Sequence, residues 1–180
     1  MPSEIDALAR PVLAKLSHPV RTASAVVFVA AAATILAALA FEHLGGYAPC
    51  PLCLQQRYAY YFAVPASAAA VFLAQGHTIR WARILLILIA VAFVVNAGLG
   101  IYHSGVEWKW WPGPDTCGTA TAIEWGEGGL AQQLESVRVI ACDEAAWRFL
   151  GLSFAGWNAV ASAFLAGVAA WGAAQKRYPV

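Results

Sequence analysis

Long apolar runs alternate with short polar segments along the chain, and the first run sets the scale. Residues 22–41 contain no charged side chain over 20 positions. A helix of about 20 residues spans the roughly 30 Å of hydrocarbon in a bilayer. Three later runs are of similar length or longer. The pattern therefore predicts four spanning helices, near residues 22–44, 54–75, 83–102 and 151–174.

One long polar stretch, residues 103–150, separates the third run from the fourth. Several tryptophans lie in it, as is typical of a loop that rests on lipid headgroups, and residues 130–140 have the pattern of a short amphipathic helix. The predicted fold class is an all-α membrane protein, a four-transmembrane-helix bundle with a long periplasmic loop carrying short helices. Residues 1–180 form a single integral membrane domain, in which residues 1–21 are expected to contain a short interfacial helix without a catalytic role.

Composition supports the membrane assignment. Hydrophobic residues make up 61% of the chain and charged residues 12%, with a mean hydropathy of +0.62. Soluble domains carry about 25% charged residues. The net charge is only +1 and the sequence has no basic stripe, which argues against a nucleic-acid partner.

The distribution of charge predicts the orientation. The N-terminal segment, the turn at residues 76–83 and the C-terminal tail together hold seven Lys or Arg and two acidic residues, whereas the opposite side holds four and eight. By the positive-inside rule both termini are cytoplasmic. All four cysteines then face the outer, oxidising side, where disulfides persist.

The segment between the first two runs contains the motif that carries chemistry, Cys50-Pro51-Leu52-Cys53, followed by Arg57. If a helix begins near Pro51, free backbone N–H groups and the helix dipole favour a thiolate at its first turn. Proline suits that first position because its missing N–H would be unpaired there. Arg57 follows Cys53 by one helical turn and adds a permanent positive charge. A thiol pair of lowered pKa is what disulfide exchange requires.

Two other interpretations of the cysteines stay open on the motif alone. A CxxC pair can be half of a zinc site, although a second closely spaced pair is then expected. The remaining cysteines, Cys117 and Cys142, are 25 positions apart and form no such pair. Four cysteines can also form two inert structural disulfides.

Taken together, these residues resemble the DsbB family of bacterial inner-membrane enzymes, which reoxidise periplasmic thiol oxidases of the DsbA type. The resemblance extends from about residue 22 to 175, and its most specific part is the cysteine order, a CxxC first and a loop pair second. The matching segments are Cys50-Pro51-Leu52-Cys53 with Arg57, Tyr102-His103, Cys117, Cys142-Asp143-Glu144 through Trp147, and Phe149-Leu150-Gly151-Leu152.

The resemblance implies a function and a role for each site residue. A reduced DsbA-like thiol oxidase would attack a Cys117–Cys142 disulfide and form a mixed disulfide at Cys117, and Cys142 would relay to Cys50. Cys53, held as a thiolate near Arg57, would contact a ubiquinone or menaquinone that takes the electrons. His103 matches a family residue near the quinone, although an interfacial hydrogen bond is its ordinary role. No resident metal is expected.

Three rival functions remain. Enzymes of the vitamin K epoxide reductase type also combine a CxxC, a loop cysteine pair and a quinone, but their loop pair usually precedes the CxxC and here it follows. A structural membrane protein with two stable disulfides and no turnover is a second rival. The third is a DsbB-like paralogue that serves one dedicated partner, which the sequence does not distinguish from a general oxidase.

Overall fold

The computed structural model describes residues 18–114, 138–139 and 142–175. Within them the chain forms four helices, four two-residue strands and a 3₁₀ turn at Gly76–Thr78. The helices are α1 (Pro19–His43), α2 (Pro51–Leu73), α3 (Ile79–Glu107) and α4 (Phe154–Ala174). The strands are β1 (Tyr47–Ala48), β2 (Arg138–Val139), β3 (Arg148–Phe149) and β4 (Leu152–Ser153).

The four helices form a closed ring in which α1 packs on α2, α2 on α3, α3 on α4 and α4 on α1. Each of the four helical ranges predicted from the apolar runs overlaps one of them. The third helix is longer than predicted, because α3 continues five residues past position 102 to Glu107. Its last turn is packed into the protein, with Val106 1% and Glu107 9% exposed. His103 therefore lies within the helix and not at the start of a loop.

Small side chains fill the inside of the ring and large apolar side chains cover its outside. Buried positions include Ala31, Ala63 and Ala82, each 0% exposed, whereas Leu36 and Phe72 are 65% and 76% exposed. This arrangement is the reverse of a soluble bundle and suits a surface solvated by lipid, where small residues let helices approach closely. The three helices α1, α3 and α4 are long and apolar enough to cross a bilayer. The chain is a multi-pass membrane protein.

Helix α2 is 23 residues long, but it is not among those three helices. Its first two turns contain Gln55, Gln56 and Arg57, which lower the mean hydropathy of any window that includes them. Residues 58–73 carry no charge. The polar first turns are the part of α2 that forms the site described below.

A short parallel pairing joins the loop between α3 and α4 to the segment before α2. Strand β1 pairs with β2 in the register Tyr47 to Arg138 and Ala48 to Val139. The prediction of an amphipathic helix over residues 130–140 is therefore wrong at its end, because Arg138–Val139 exchange backbone hydrogen bonds with another segment, whereas a helix satisfies those groups within itself. Residues 130–137 lie outside the described residues, as do residues 1–17 and Cys117.

A β-hairpin precedes α4. Strands β3 and β4 are antiparallel and pair Arg148 with Ser153. The two residues of the turn, Leu150 and Gly151, have φ of 51° and 82°, the positive values that a type I′ turn requires. Ser153 then caps α4, and its hydroxyl accepts the N–H of Gly156 at 3.2 Å. Helix α4 consequently begins at Phe154, three residues later than the apolar pattern predicted.

Candidate functional site

The CxxC motif forms the first turn of α2, as the sequence predicted. Cys50 is the N-cap residue with extended backbone, and Pro51 occupies the first helical position. The Cys50 Sγ accepts the backbone N–H of Cys53 at 3.3 Å, so a sulfur takes the place of the usual capping oxygen. The two sulfurs lie 3.0 Å apart, and both residues are thiols in this structure.

The groups that stabilise a thiolate converge on Cys50. Its pKa lies well below the ordinary value, chiefly because its sulfur accepts a hydrogen bond from the Cys53 thiol. Burial opposes this effect, and hydrogen bonding by His103 adds to it. The Nε2 atom of His103 is 3.7 Å from the Cys50 Sγ. The surroundings of Cys50 thus favour a thiolate there, and the thiolate that the family resemblance implied at Cys53 stays a prediction.

Cys142 packs against the CxxC motif. It is disulfide-bonded and 1% exposed, and it forms one buried cluster with Cys50 and Leu52, with Cys53 against it. An ion pair between Asp143 and Lys109 connects this part of the loop to the residues just after α3. The predicted Cys117–Cys142 pairing stays a prediction, because Cys117 lies outside the described residues.

Arg57 is held by a carboxylate on the neighbouring helix. Its Nη1 donates to Oε2 of Glu42, the penultimate residue of α1, and the two side chains are 12% and 26% exposed. Glu42 thereby fixes the guanidinium on the cavity wall that also holds the thiol pair.

A cavity of about 430 Å³ opens beside these residues. Its wall includes Cys50, Cys53, Arg57, His103 and Glu107. Apolar side chains from α1 and α4, together with the loop before the hairpin, form the rest of it, among them Ile35, Ala38, Phe41, Phe154 and Ala161. An apolar pocket with a few convergent polar groups is the usual form of a site for a small organic molecule. All the predicted site residues that the structure describes, except Cys142, line this cavity.

Four polar residues at the site were not identified from the sequence, namely Glu42, Gln56, Glu107 and Asn158. Gln56 and Glu107 are buried, at 6% and 9% exposure, and Asn158 contributes to the cavity wall. The signal was the isolated polar residue in an otherwise apolar helix. Asn96 is a further residue of this kind, and its Nδ2 donates to the Ser162 hydroxyl of α4 at 2.9 Å, which joins α3 to α4.

Cys50, Cys53 and His103 also form a group of possible metal ligands, with their donor atoms within 4.8 Å of one another. Two thiolates on a tetrahedral zinc ion are about 3.8 Å apart, given Zn–S bonds of about 2.3 Å. The sulfurs here are 3.0 Å apart. This spacing fits a hydrogen-bonded dithiol better than a metal-bound pair.

Comparison with known proteins agrees with this geometry. The model of the family "Disulfide bond formation protein DsbB" matches residues 20–172. The chain belongs to the DsbB family. The match includes all four helices apart from the ends of α1 and α4, and it includes every cysteine.

Individual relatives support the same assignment. The chain is 35% identical over 138 residues to a disulfide bond formation protein B from Marinobacter nauticus, covering 74% of this chain and 80% of that protein. It is 30% identical over 141 residues to a protein of the same name from Aromatoleum aromaticum, covering 77% and 83%. No significant match was found among solved structures.

Proposed function

We propose that this protein is a quinone-dependent protein-dithiol oxidase, which reoxidises a periplasmic DsbA-like thiol oxidase and passes the electrons to a membrane quinone. The observation that carries the proposal is the packing of a disulfide-bonded Cys142 against the Cys50–Cys53 thiol pair beside an apolar cavity. This arrangement supplies two redox-active pairs in contact and a binding site for a hydrophobic acceptor. Family membership supports the disulfide-forming reaction.

The electron pair is relayed by successive disulfide exchanges. A thiolate of the reduced partner attacks Cys117 in the proposed Cys117–Cys142 disulfide, and the sulfur of Cys142 leaves as a thiolate. That thiolate attacks Cys50 in a Cys50–Cys53 disulfide, which frees Cys53. The second partner thiol displaces Cys117 and leaves with its own disulfide complete. The Cys117 thiolate then attacks Cys142 in the Cys50–Cys142 disulfide, which re-forms the Cys117–Cys142 disulfide and releases Cys50. The two electrons and two protons of the partner dithiol then reside on Cys50 and Cys53.

The residues of the cavity fit a quinone. The ring needs apolar walls, which α1 and α4 provide, and its carbonyl oxygens need donors near the thiols. Arg57 is a donor on that wall, and His103, Cys50 and Cys53 also border it. A bound quinone supplies an acceptor for two electrons and two protons. The chain keeps Arg57 oriented through Glu42, holds a thiolate on Cys50 and supports the resulting disulfide at the first turn of α2.

A quinone is also a suitable electron acceptor because of its reduction potential. A DsbA-type dithiol has a reduction potential of about −120 mV, which is high for a thiol pair. Its oxidation needs a still stronger acceptor, and about 30 mV corresponds to roughly 1.4 kcal/mol for a two-electron couple. Quinones emptied by respiration meet that need, and they dissolve in the same membrane.

The proposal includes a topology. Helix α2 crosses the membrane with the other three, its polar first turns lie at the outer surface, and both termini are in the cytoplasm of a bacterial inner-membrane protein. The asymmetry of Lys and Arg supports this orientation. It exposes the loop cysteines to the periplasm, where the partner lies, and leaves the cavity open to lipid-soluble molecules.

The direct test uses purified protein in detergent with reduced DsbA-like partner and a soluble quinone. Loss of partner thiols should depend on both the enzyme and the quinone, and it should stop in Cys50→Ala and Cys142→Ala variants. The exposed His77→Ala change, in the turn between α2 and α3, serves as a control that should keep full activity. Thiol loss that proceeds equally without quinone, or that survives Cys50→Ala, would contradict the proposal.

A further inference from the structure

A chain of hydrogen bonds crosses the bundle interior and ends at the thiol pair. The Tyr60 hydroxyl donates to Oδ1 of Asn158 at 2.7 Å, and Nδ2 of Asn158 donates to Oε1 of Gln56 at 2.6 Å. Nε2 of Gln56 is 2.9 Å from Nδ1 of His103, and Nε2 of His103 is 3.7 Å from the Cys50 Sγ. Helices α2, α3 and α4 each contribute to this chain.

The hydrogen bonds of this chain all run in one direction from donor to acceptor. An amide nitrogen only donates and an amide oxygen only accepts. Because Tyr60 and Asn158 each direct a donor at the next oxygen, the amide of Gln56 presents its NH₂ group to His103. Nδ1 of His103 is therefore the acceptor, and in the neutral ring the proton lies on Nε2.

We infer that Gln56 is a positioning residue, which fixes His103 as the Nε2–H tautomer so that this N–H is directed at the Cys50 sulfur. The catalytic meaning of this inference rests on the proposed function, because the thiolate of Cys50 is one of the groups that such a reaction uses. His103 then acts as a hydrogen-bond donor to the thiolate and not as the base that deprotonates it. Its remaining lone pair, on Nδ1, is occupied by Gln56.

The residues of this hydrogen-bond chain are buried, so the direction of each hydrogen bond affects the stability of the site. Tyr60, Gln56 and His103 are 3%, 6% and 2% exposed, so water does not readily replace a lost partner. Buried polar groups that lose a hydrogen bond are costly, and a network of them specifies one arrangement. Asn96 and Ser162 extend the network, with Asn96 Nδ2 3.4 Å from Asn158 Oδ1.

One other ionisable group near Cys50 bears on this tautomer and favours the same one. Glu107, on α3, lies one turn from His103 with its Oε1 4.0 Å from Nε2, so it faces the same N–H. Cys53 contacts the sulfur from α2 itself. Arg57 is engaged by Glu42, and Glu144 is another residue of the cavity wall.

The first test reads the tautomer directly by ¹⁵N NMR of the reduced, histidine-labelled protein in detergent at pH 8. The His103 signals are identified by their loss in a His103→Asn variant. We expect Nε2 to resonate as a protonated nitrogen and Nδ1 as an unprotonated one. An Nδ1–H tautomer, or a doubly protonated ring, would overturn the inference.

The second test uses Gln56→Met, which keeps the length of the side chain and removes both polar atoms, with Gln55→Met as its matched control on the exposed face of α2. Gln56→Met should give a mixture of tautomers and lower the acidity constant of the Cys50 thiol by roughly fivefold, the worth of one hydrogen bond, which shifts the pH midpoint of Cys50 alkylation upward. Gln55→Met should change neither. If Gln56→Met does not fold, Asn158→Leu frees the Gln56 amide to rotate and should produce a smaller change of the same kind.

These outcomes separate the inference from the proposed function. An Nε2–H tautomer that Gln56→Met disturbs, in a protein that never oxidises a partner with quinone, would leave the positioning role intact and refute the proposed function. Quinone-dependent oxidation with a tautomer that is unchanged in both Gln56→Met and Asn158→Leu would refute the positioning role alone.

Discussion

Three groups contact the Cys50 sulfur, namely the backbone N–H of Cys53 at 3.3 Å, the Cys53 thiol at 3.0 Å and His103 at 3.7 Å. Together they outweigh the burial that would keep the thiol protonated. The sequence predicted the helix start and hence the backbone contribution, because proline at the first helical position and the CxxC spacing are local features. The His103 contribution is a contact over 53 positions, and it depends on how far α3 extends, which the apolar run did not define.

The lowered pKa of Cys50 predicts its reactivity in the reduced protein. Its thiolate should persist as the pH falls below the ordinary thiol range, so alkylation of Cys50 should stay nearly constant from pH 9 to 7. The same shift stabilises the reduced fold fully above about pH 9 and loses that contribution as the pH falls towards the folded pKa. Iodoacetamide labelling with mass mapping measures this, and Cys53→Ala should move the profile back towards that of a free thiol. A midpoint near 8.5 in the unaltered protein would contradict the assignment.

The Arg57–Glu42 pair predicts a graded effect on quinone use. Arg57→Ala should raise the apparent KM for quinone by roughly tenfold, since a hydrogen bond to a charged group contributes about 1.5–3 kcal/mol. Glu42→Gln should raise it less, because the guanidinium remains but loses its orientation. Single-turnover exchange between the partner and the loop disulfide should be unchanged in both.

Arg80 is the control for that prediction, because it lies over the Trp81 ring at 5.3 Å at the opposite end of the bundle. Arg80→Ala should leave quinone kinetics unaltered. An Arg57→Ala variant with normal quinone kinetics would show that this arginine belongs to the membrane interface and not to the site.

At the scale of elements, the apolar runs predicted that the four helices exist, but they did not predict where each helix ends. Runs of 18 or more uncharged residues have few alternatives to a helix in a bilayer, because backbone polar groups need internal partners there. The position of each helix end depends on tertiary contacts, which the hydrophobic periodicity of the sequence does not reveal. Trp111 folds back with its ring over Gly105 and its Nε1 donates to the Tyr102 carbonyl at 2.9 Å, which covers the last turns of α3.

Two glycines on α3 test the packing between α3 and α4. A Cβ at Gly100 would lie 3.0 Å from the Ala155 carbonyl and from the Ala159 Cβ, whereas one at Gly98 would meet nothing within 4 Å. Gly100→Val should lower the unfolding free energy by about 1–3 kcal/mol, the usual cost of overpacking. Gly98→Val, which carries the same helix propensity, should have little effect. Thermal unfolding in detergent compares the two, and equal losses would mean that the helices do not approach closely at Gly100.

The whole molecule brings the proposed disulfide relay and an apolar cavity to one end of a ring of helices. The composition predicted the membrane, and the cysteine order led to the resemblance on which the proposed relay rests. The cavity was not predictable, because its walls combine α1, α4 and the loop before the hairpin, whose relative placement is set by the β1–β2 pairing and by the network around Asn158. Neither the strand pairing nor the hydrogen-bond network leaves a recognisable hydropathy pattern in the sequence.

The proposed orientation is tested on spheroplasts after mild reduction. A membrane-impermeant thiol reagent should label cysteines of the 103–150 segment in intact spheroplasts. A single cysteine introduced at Ser3, in a variant lacking the native four, should react only after the membrane is broken. The opposite pattern would invert the topology.

The hydrogen-bond chain from Tyr60 to His103 has one more consequence, for the energy stored across the membrane. Amides and hydroxyls orient a neighbouring group without gaining or losing a proton near neutral pH. This chain of hydrogen bonds therefore conducts protons poorly. Next to it along the bundle lie alanines and the fully buried Leu86 and Ile89, which offer a proton no carrier. In the proposed reaction the quinone takes up the thiol protons at the cavity, and the described part of the bundle offers those protons no route across the membrane.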